Sequence, residues 1–330
     1  MLHLGIVGAG GIVHHCLEGL KDVPTVKVTA IYVQEKEKDV AHKLAEKYDI
    51  QFIYTDYIKF LKDTTFDFVY IGIINNLHYE FTKIALTHGK NVINEKPFTS
   101  TLKESIELID IAKQHKLYLF EAITLLYSPN YTYVKENLSK IGKVKLIQCN
   151  YSQYSSRYTK YLNKEVLPAF DPKFSGGSLY DINIYNIHFV VGLFGEPLHT
   201  KYYANLGFNG IDTSGIVIME FENYIATCTG AKDSASPSFA IIQGENGYIK
   251  INSATNVCES VDICIGNSVQ TINFNKHDNH MVNEFTAFAK IFKDNDIEKC
   301  YDILDHTRKV IKIIANSRIS AGIKFLADEN

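Results

Sequence analysis

Three short stretches of the 330-residue chain carry residues of the kinds that hold phosphates, polarise oxygens and move protons. Gly8-Ala9-Gly10-Gly11-Ile12-Val13 fits G-x-G-x-x-(small), with Val13 where glycine or alanine is usual. Gly8 permits a tight turn and Gly10 lets backbone approach a pyrophosphate. A helix starting there offers free N–H groups and a partial positive charge. Such a loop suits a dinucleotide; a plain turn, or the similar loop of a methyl-transfer enzyme, is the alternative. Glu95-Lys96-Pro97 sets a lysine between a carboxylate and a rigid residue. A lysine so fixed can have a tuned pKa and donate to a substrate oxygen, whereas most Glu-Lys pairs are solvated surface turns. After Gly176-Gly177, the residues Asp181, Tyr185 and His188 stand at i, i+4 and i+7, on one face of a helix. Carboxylate, phenol and imidazole together would let one group protonate a carbonyl oxygen while another orients it. Against that, Tyr185 could be core, Asp181 could merely favour a helix N-terminus, and a lone histidine such as His188 is more often structural.

The elements that must position these residues change in texture along the chain. Through residue 120, short apolar runs alternate with amphipathic stretches. The strands are Leu4 to Val7, Val26 to Val33, Asp67 to Ile71, Asn91 to Ile93 and Leu117 to Phe120, with helices such as Asp39 to Tyr48 and Leu102 to His115 between them. That alternation predicts right-handed crossovers and a parallel sheet covered on both faces, with Lys96 at a carboxyl end of a strand, where such sheets bind ligands. From about Ile141 strands follow one another: Lys143 to Tyr151, Gly215 to Phe221, Tyr224 to Gly230, Phe239 to Gln243, Gly247 to Ile251 and Val269 to Phe274. Asn246-Gly247 is a hairpin signal. A mostly antiparallel sheet is expected, broken by one helix around Ser178 to Leu193 and closed by helices from His280 onward. The boundary falls near Glu121, giving domains 1–121 and 122–330.

The size fits two domains. Thirty-four basic against 37 acidic residues leave a net charge of −3, no footprint for nucleic acid. No apolar run approaches the ~20 residues of a membrane helix, and the strand at Leu2 leaves no room for a signal peptide. The six cysteines have no metal-like spacing and read as buried thiols of a cytoplasmic protein. His277, Asp278 and His280 read as a polar loop, not a metal site. Arg157, among Tyr151, Tyr154, Tyr158 and Tyr161, could reach a cleft, and tyrosines so dense suit stacking on rings or a dimer surface equally. At the end of the second strand, Gln34-Glu35-Lys36-Glu37-Lys38 has neither the aspartate that holds a ribose 2′-OH nor an arginine for a 2′-phosphate. Glu35 argues for NAD, Lys36 or Lys38 for NADP, and the choice stays open.

Taken together, Gly8 to Ile12, Asn75-Asn76-Leu77-His78, Gly89 to Pro97 with its Glu95-Lys96-Pro97, and Gly176 to Asp181 with Tyr185 resemble the glucose–fructose oxidoreductase / inositol dehydrogenase (Gfo/Idh/MocA) family over nearly the whole length. The closing Gly322-Ile323-Lys324-Phe325 is similar to how members end. With tyrosine at 185, the chain resembles the branch of glucose–fructose oxidoreductase and dimeric dihydrodiol dehydrogenase more than the inositol dehydrogenase branch. It departs from the family at Ile73-Ile74, where Thr-Pro is common, and at Ile123, Thr124 and Leu126, which replace a frequent Met and Arg.

The resemblance implies an N-terminal Rossmann domain binding NAD or NADP and a C-terminal α+β domain with a large open, mostly antiparallel sheet. That sheet would take a second copy in a homodimer or homotetramer. It further implies hydride transfer between nicotinamide and a secondary alcohol or carbonyl of a sugar, polyol or related diol. Gly8, Gly10, Gly11, Ile12, Gln34, Asn75, His78, Glu95 and Lys96 would contact the cofactor, and Lys96, Asp181 and Tyr185 would be catalytic. In that scheme Tyr185 takes the hydroxyl proton, Lys96 donates to the same oxygen, and Asp181 orients Lys96 or a second hydroxyl. A non-catalytic NAD(P)-binding sensor, and a glycoside-cleaving relative with tightly held NAD, are the competing readings.

Overall fold

The computed structural model describes residues 1–329. The chain forms two units, Met1–Ala122 with Asn279–Arg308, and Ile123–Asp278 with Lys309–Asn330.

In the first unit β1 (Leu2–Val7), α1 (Gly11–Leu20), β2 (Val26–Tyr32), α2 (Lys38–Tyr48), β3 (Phe52–Tyr54), α3 (Tyr57–Leu61), β4 (Phe68–Ile71), α4 (His78–Thr87), β5 (Asn91–Glu95), α5 (Leu102–His115) and β6 (Leu119–Ala122) follow in order. The six strands are all parallel, in the order β3-β2-β1-β4-β5-β6. This is the doubly wound arrangement, whose ligand crevice lies outside the strands' carboxyl ends. Every residue of β4 is buried, as expected of a strand covered on both faces. The expected strands are present. The additional β3 has three half-exposed or exposed residues at the sheet edge, too short a pattern to read from sequence.

The second unit contains α6 (Pro129–Asn137), β7 (Val144–Ser152), α7 (Tyr158–Leu162), α8 (Ile184–Phe194), β8 (His199–Leu206), β9 (Asp212–Glu220), β10 (Ile225–Ala231), β11 (Phe239–Gly244), β12 (Gly247–Ile251), β13 (Val261–Ile265) and β14 (Ser268–Ile272). Its eight strands run β14-β13-β12-β11-β7-β10-β9-β8, antiparallel except for β7 beside β10. One sheet face is apolar and buried by Ile147, Cys149, Val217, Met219, Ala226, Cys228, Ala240 and Ile242, and α8 packs against β7 and β10.

Residues 279–308 cluster apart from the rest of 122–330. Helix α9 (Met281–Lys293) clusters with the first unit, as does α10 (Ile297–Ser320) through Arg308. The reason is aromatic packing. Phe288 stacks on Phe120 with ring centroids 4.4 Å apart, Phe285 lies 5.7 Å from Tyr70, and Phe292 meets Phe68 edge-on at 5.0 Å. All six cysteines are buried free thiols. Among the described residues no helix is long and apolar enough to cross a membrane.

Candidate active site

The glycine loop lies between β1 and α1. Gly8 has φ +105°, and a Cβ there would stand 2.6 Å from the carbonyl oxygen of Gly72, so only glycine fits. Gly10 is different: its backbone is extended, and a Cβ would meet no atom within 4 Å. It is the N-cap of α1, and no side chain caps the helix. The open space above Gly10 and Gly11, with uncapped helix N–H groups beside it, fits a pyrophosphate. A cleft of about 340 Å³ opens there, lined by Gly8, Gly10, Ile12, Tyr32, Gln34, Lys36, Glu37, Ile73, Leu77 and Phe81 among others.

Of the sequence-derived cofactor residues, Gly8, Gly10, Ile12 and Gln34 line this cleft, and Gly11 is the first residue of α1. At the far wall the structure places Ile73, Ile74 and Leu77 on the lining, not Asn75 or His78. His78 is fully buried, its ring nitrogens 2.8 Å from the Pro97 carbonyl and 3.1 Å from that of Ile73. Burial pulls its pKa down against the pull of the two carbonyls, and the ring braces two loops. In the segment after β2, Gln34 and Glu37 form a capping box and Glu35 pairs with Lys38 at 3.2 Å. Both acids are thereby engaged, and Lys36 and Glu37 both line the cleft.

The Glu95-Lys96-Pro97 turn is held from every side within the first unit. Tyr70 donates to Glu95 Oε1 at 2.7 Å, and the Lys96 N–H donates to Oε2 at 3.2 Å. The Asn94 amide donates to the Phe98 carbonyl at 2.6 Å, and the Phe98 N–H donates to Glu121 at 3.1 Å. The Lys96–Pro97 peptide is cis. From Val92 to Ser100 only Lys96 is not fully buried. Glu95 is thus under the turn, not at its surface, and burial raises its pKa to about 7 against the Tyr70 hydrogen bond and the Lys96 charge. Beside it lies Glu284 of α9, completely buried and with neither carboxyl oxygen hydrogen-bonded among the described residues. Burial, then the Glu95 charge, pushes its pKa well up. Sequence spacing held no hint of Glu284, which arrives from the far end of the chain.

In the second unit the expected single helix from Ser178 begins differently. Leu179–Asn183 is a π-helical turn that passes into α8. Between Ser178 and Val191 only Asp181 and Tyr185 are not fully buried; His188 is enclosed and does not share their exposure. π-turns of this kind concentrate at functional sites. The turn is held by two side chains that no motif announced. Asp212 accepts from the Leu179 N–H at 2.6 Å and from the Tyr202 hydroxyl at 2.7 Å, and Lys232 reaches Oδ2 of Asp181 at 2.6 Å. The Tyr151 ring lies 6.3 Å from that of Tyr185. Arg157, exposed at the start of α7, sits by an aromatic stack of Tyr158, Tyr161, Phe170 and Phe208, with Tyr161 and Phe208 centroids 4.5 Å apart.

Comparison with known proteins agrees with this architecture. The pattern of an oxidoreductase family with an NAD-binding Rossmann fold, GFO_IDH_MocA, matches residues 2–122, and that of the GFO/IDH/MocA C-terminal domain matches 134–250. The scyllo-inositol 2-dehydrogenase (NADP(+)) IolU of Bacillus subtilis (strain 168) is 33% identical over 330 residues, 100% of both chains. A trans-1,2-dihydrobenzene-1,2-diol dehydrogenase of Danio rerio is 28% identical over 76% of this chain and 74% of its own. Among solved structures, the 3-ketoreductase KijD10 of Actinomadura kijaniata, in complex with NADP and TDP-benzene, superposes with a TM-score of 0.86 over 97% of both chains; at 19% identity it shares the fold. With both domain patterns matched in order and full-length identity to IolU, the chain belongs to the GFO/IDH/MocA family and is an NAD(P)-dependent oxidoreductase.

Proposed function

We propose that the protein transfers a hydride between NADP(H) and a secondary alcohol or carbonyl of a polyol, sugar or related cyclic diol. The observation that carries this reading is exposure. In two otherwise buried segments, 92–100 and 178–191, the side chains not fully buried are Lys96, Asp181 and Tyr185, an ammonium, a carboxylate and a phenol. The nicotinamide, when bound, supplies the hydride acceptor or donor. Tyr185 takes the hydroxyl proton in oxidation and returns one to the oxygen in reduction. Lys96 donates a hydrogen bond to the substrate oxygen. Asp181 accepts from a neighbouring hydroxyl and so orients the ring. Gly10 and the N-terminus of α1 hold the pyrophosphate, and Lys36 with Gln34 meets the 2′-phosphate, which favours NADP over NAD.

IolU and the dihydrodiol dehydrogenases, by name, act on such alcohols, and IolU on NADP+. The same reading pairs copies of the chain through the eight-stranded sheet. Its outer face carries Tyr203, Ile216, Ile225 and Tyr248, each 36% exposed or more, with Tyr203 opposite Ile216 in register. It also places the enzyme in the cytoplasm, where six buried free thiols stay reduced. The test is a substrate panel of scyllo-inositol, D-xylose and trans-1,2-dihydrobenzene-1,2-diol with NADP+ and NAD+, read by absorbance of the reduced nicotinamide. Turnover of at least one, faster with NADP+, is expected; no turnover with either cofactor would overturn the reading.

A further inference from the structure

The ends of β9 and β10 that lie side by side supply an acid and a base to one π-turn. Asp212 opens β9 and holds the Leu179 N–H; Lys232 follows β10 and reaches Asp181. The backbone of Lys232 is pinned on both sides, its N–H donating to the Thr213 carbonyl at 2.8 Å and its carbonyl accepting from the Ser155 N–H at 2.9 Å. Its side chain is 3% exposed. The ammonium donates to Asp181 Oδ2 at 2.6 Å and to the Ala169 carbonyl at 2.8 Å, and stands 4.5 Å from the Phe170 ring centroid.

An ammonium buried this far needs its partners, and an apolar residue of like volume is often no worse for stability. The pair is also lopsided. Lys232 is enclosed, but the Asp181 side chain is 32% exposed, so the cation serves a carboxylate that faces outward. A carboxylate on a mobile rotamer loses orientation on each encounter; one charge-assisted hydrogen bond from a pinned donor removes that freedom. We infer that Lys232 is a positioning residue: it holds Asp181 in one orientation as the acceptor for a substrate hydroxyl adjacent to the reacting carbon. This rests on the proposed dehydrogenase function and deepens it, because it assigns the Lys232–Asp181 pair to substrate binding rather than to hydride transfer. Lys232 itself touches no substrate.

The experiment is a kinetic cycle with scyllo-inositol and NADP+ on the wild type, K232M, K232R, D181N and the double variant D181N/K232M. K232M should raise KM by about tenfold or more while kcat changes by less than about threefold, and NADPH affinity by fluorescence titration should hold at the wild-type value. K232R, which keeps the cation, should recover most of the KM. D181N should show a similar KM rise, and adding K232M to it should cost no more than about twofold further, since both act through one carboxylate. A wild-type KM in folded K232M, or effects that multiply in the double variant, would overturn the role of Lys232 and leave the dehydrogenase reading standing. Should K232M fail to fold, D181N decides: an unchanged KM overturns the assignment, and a raised KM alongside a near-normal K232R supports it. A wild type inactive on the whole substrate panel would instead overturn the dehydrogenase reading, and this inference with it.

Discussion

Tyr70 donates its hydroxyl to Glu95, one residue before Lys96, across 2.7 Å in a fully buried setting. The bond ties the floor of the central strand β4 to the turn that presents Lys96. It also draws in Glu284, which acts on Tyr70 and is itself raised by Glu95, and the buried thiol of Cys16, which desolvation raises well above its ordinary value.

This acid pair gives stability a defined pH dependence. An acid whose folded pKa is raised keeps its proton on folding, so its contribution is complete below the unfolded value near 4.5 and declines as pH rises toward the folded one, about 7 for Glu95 and well up for Glu284. The slope is about 1.4 kcal/mol per pH unit for each group in that window. E284Q removes one such slope. In urea unfolding, E284Q should gain steadily on the wild type between about pH 5 and about pH 8, by up to about 4 kcal/mol. An equal gap at both pH values would refute the buried-acid assignment.

The two loop glycines should separate fold from ligand. G8A meets a positive φ and the Gly72 carbonyl and should lower stability by about 1–3 kcal/mol. G10V extends into empty space and should leave thermal unfolding unchanged while weakening NADPH by at least about tenfold. NADPH binding retained in G10V would remove the pyrophosphate from this loop.

Cofactor choice should reside in Lys36. K36A is expected to weaken NADPH about tenfold and NADH less than about twofold, because only the former offers a 2′-phosphate. Parallel fluorescence titrations measure both; equal losses would mean that Lys36 does not read the 2′ position.

Lys96 and Tyr185 should be separable from binding. K96M and Y185F should each cut kcat by about 10²–10⁴-fold with NADPH affinity kept. Near-normal turnover in either variant would exclude that residue from proton handling.

The outer sheet face should carry assembly. I216K and I225K each place a charge on the exposed face, at positions 41% and 46% exposed, and should shift sedimentation from a dimer or tetramer to a monomer without loss of NADPH binding. A wild type that sediments as a monomer would end the proposal.

The sequence was most legible where chemistry and local geometry coincide. The glycine loop, the Glu95-Lys96-Pro97 turn and the Asp181–Tyr185 spacing are each contained in a dozen residues or fewer, and local rules of turns and helix faces suffice to read them. His78 shows what such rules leave out: its burial, and ring nitrogens directed at the Ile73 and Pro97 carbonyls, are set by packing.

Residue types and periodicity by themselves determined the parallel sheet, the following antiparallel sheet and the three segments that carry the candidate chemistry, because strand period, glycine turns and helix spacing are short-range properties. Tertiary structure alone decided that residues 279–308 return to the first unit, that Glu284 lies beside Glu95, that Asp212 and Lys232 clamp the π-turn, and that His188 is enclosed while Tyr185 is not. The first three of these join residues about thirty to more than two hundred positions apart through packing or a single hydrogen bond. Such contacts follow from which surfaces the packed chain brings together, and no local pattern encodes them.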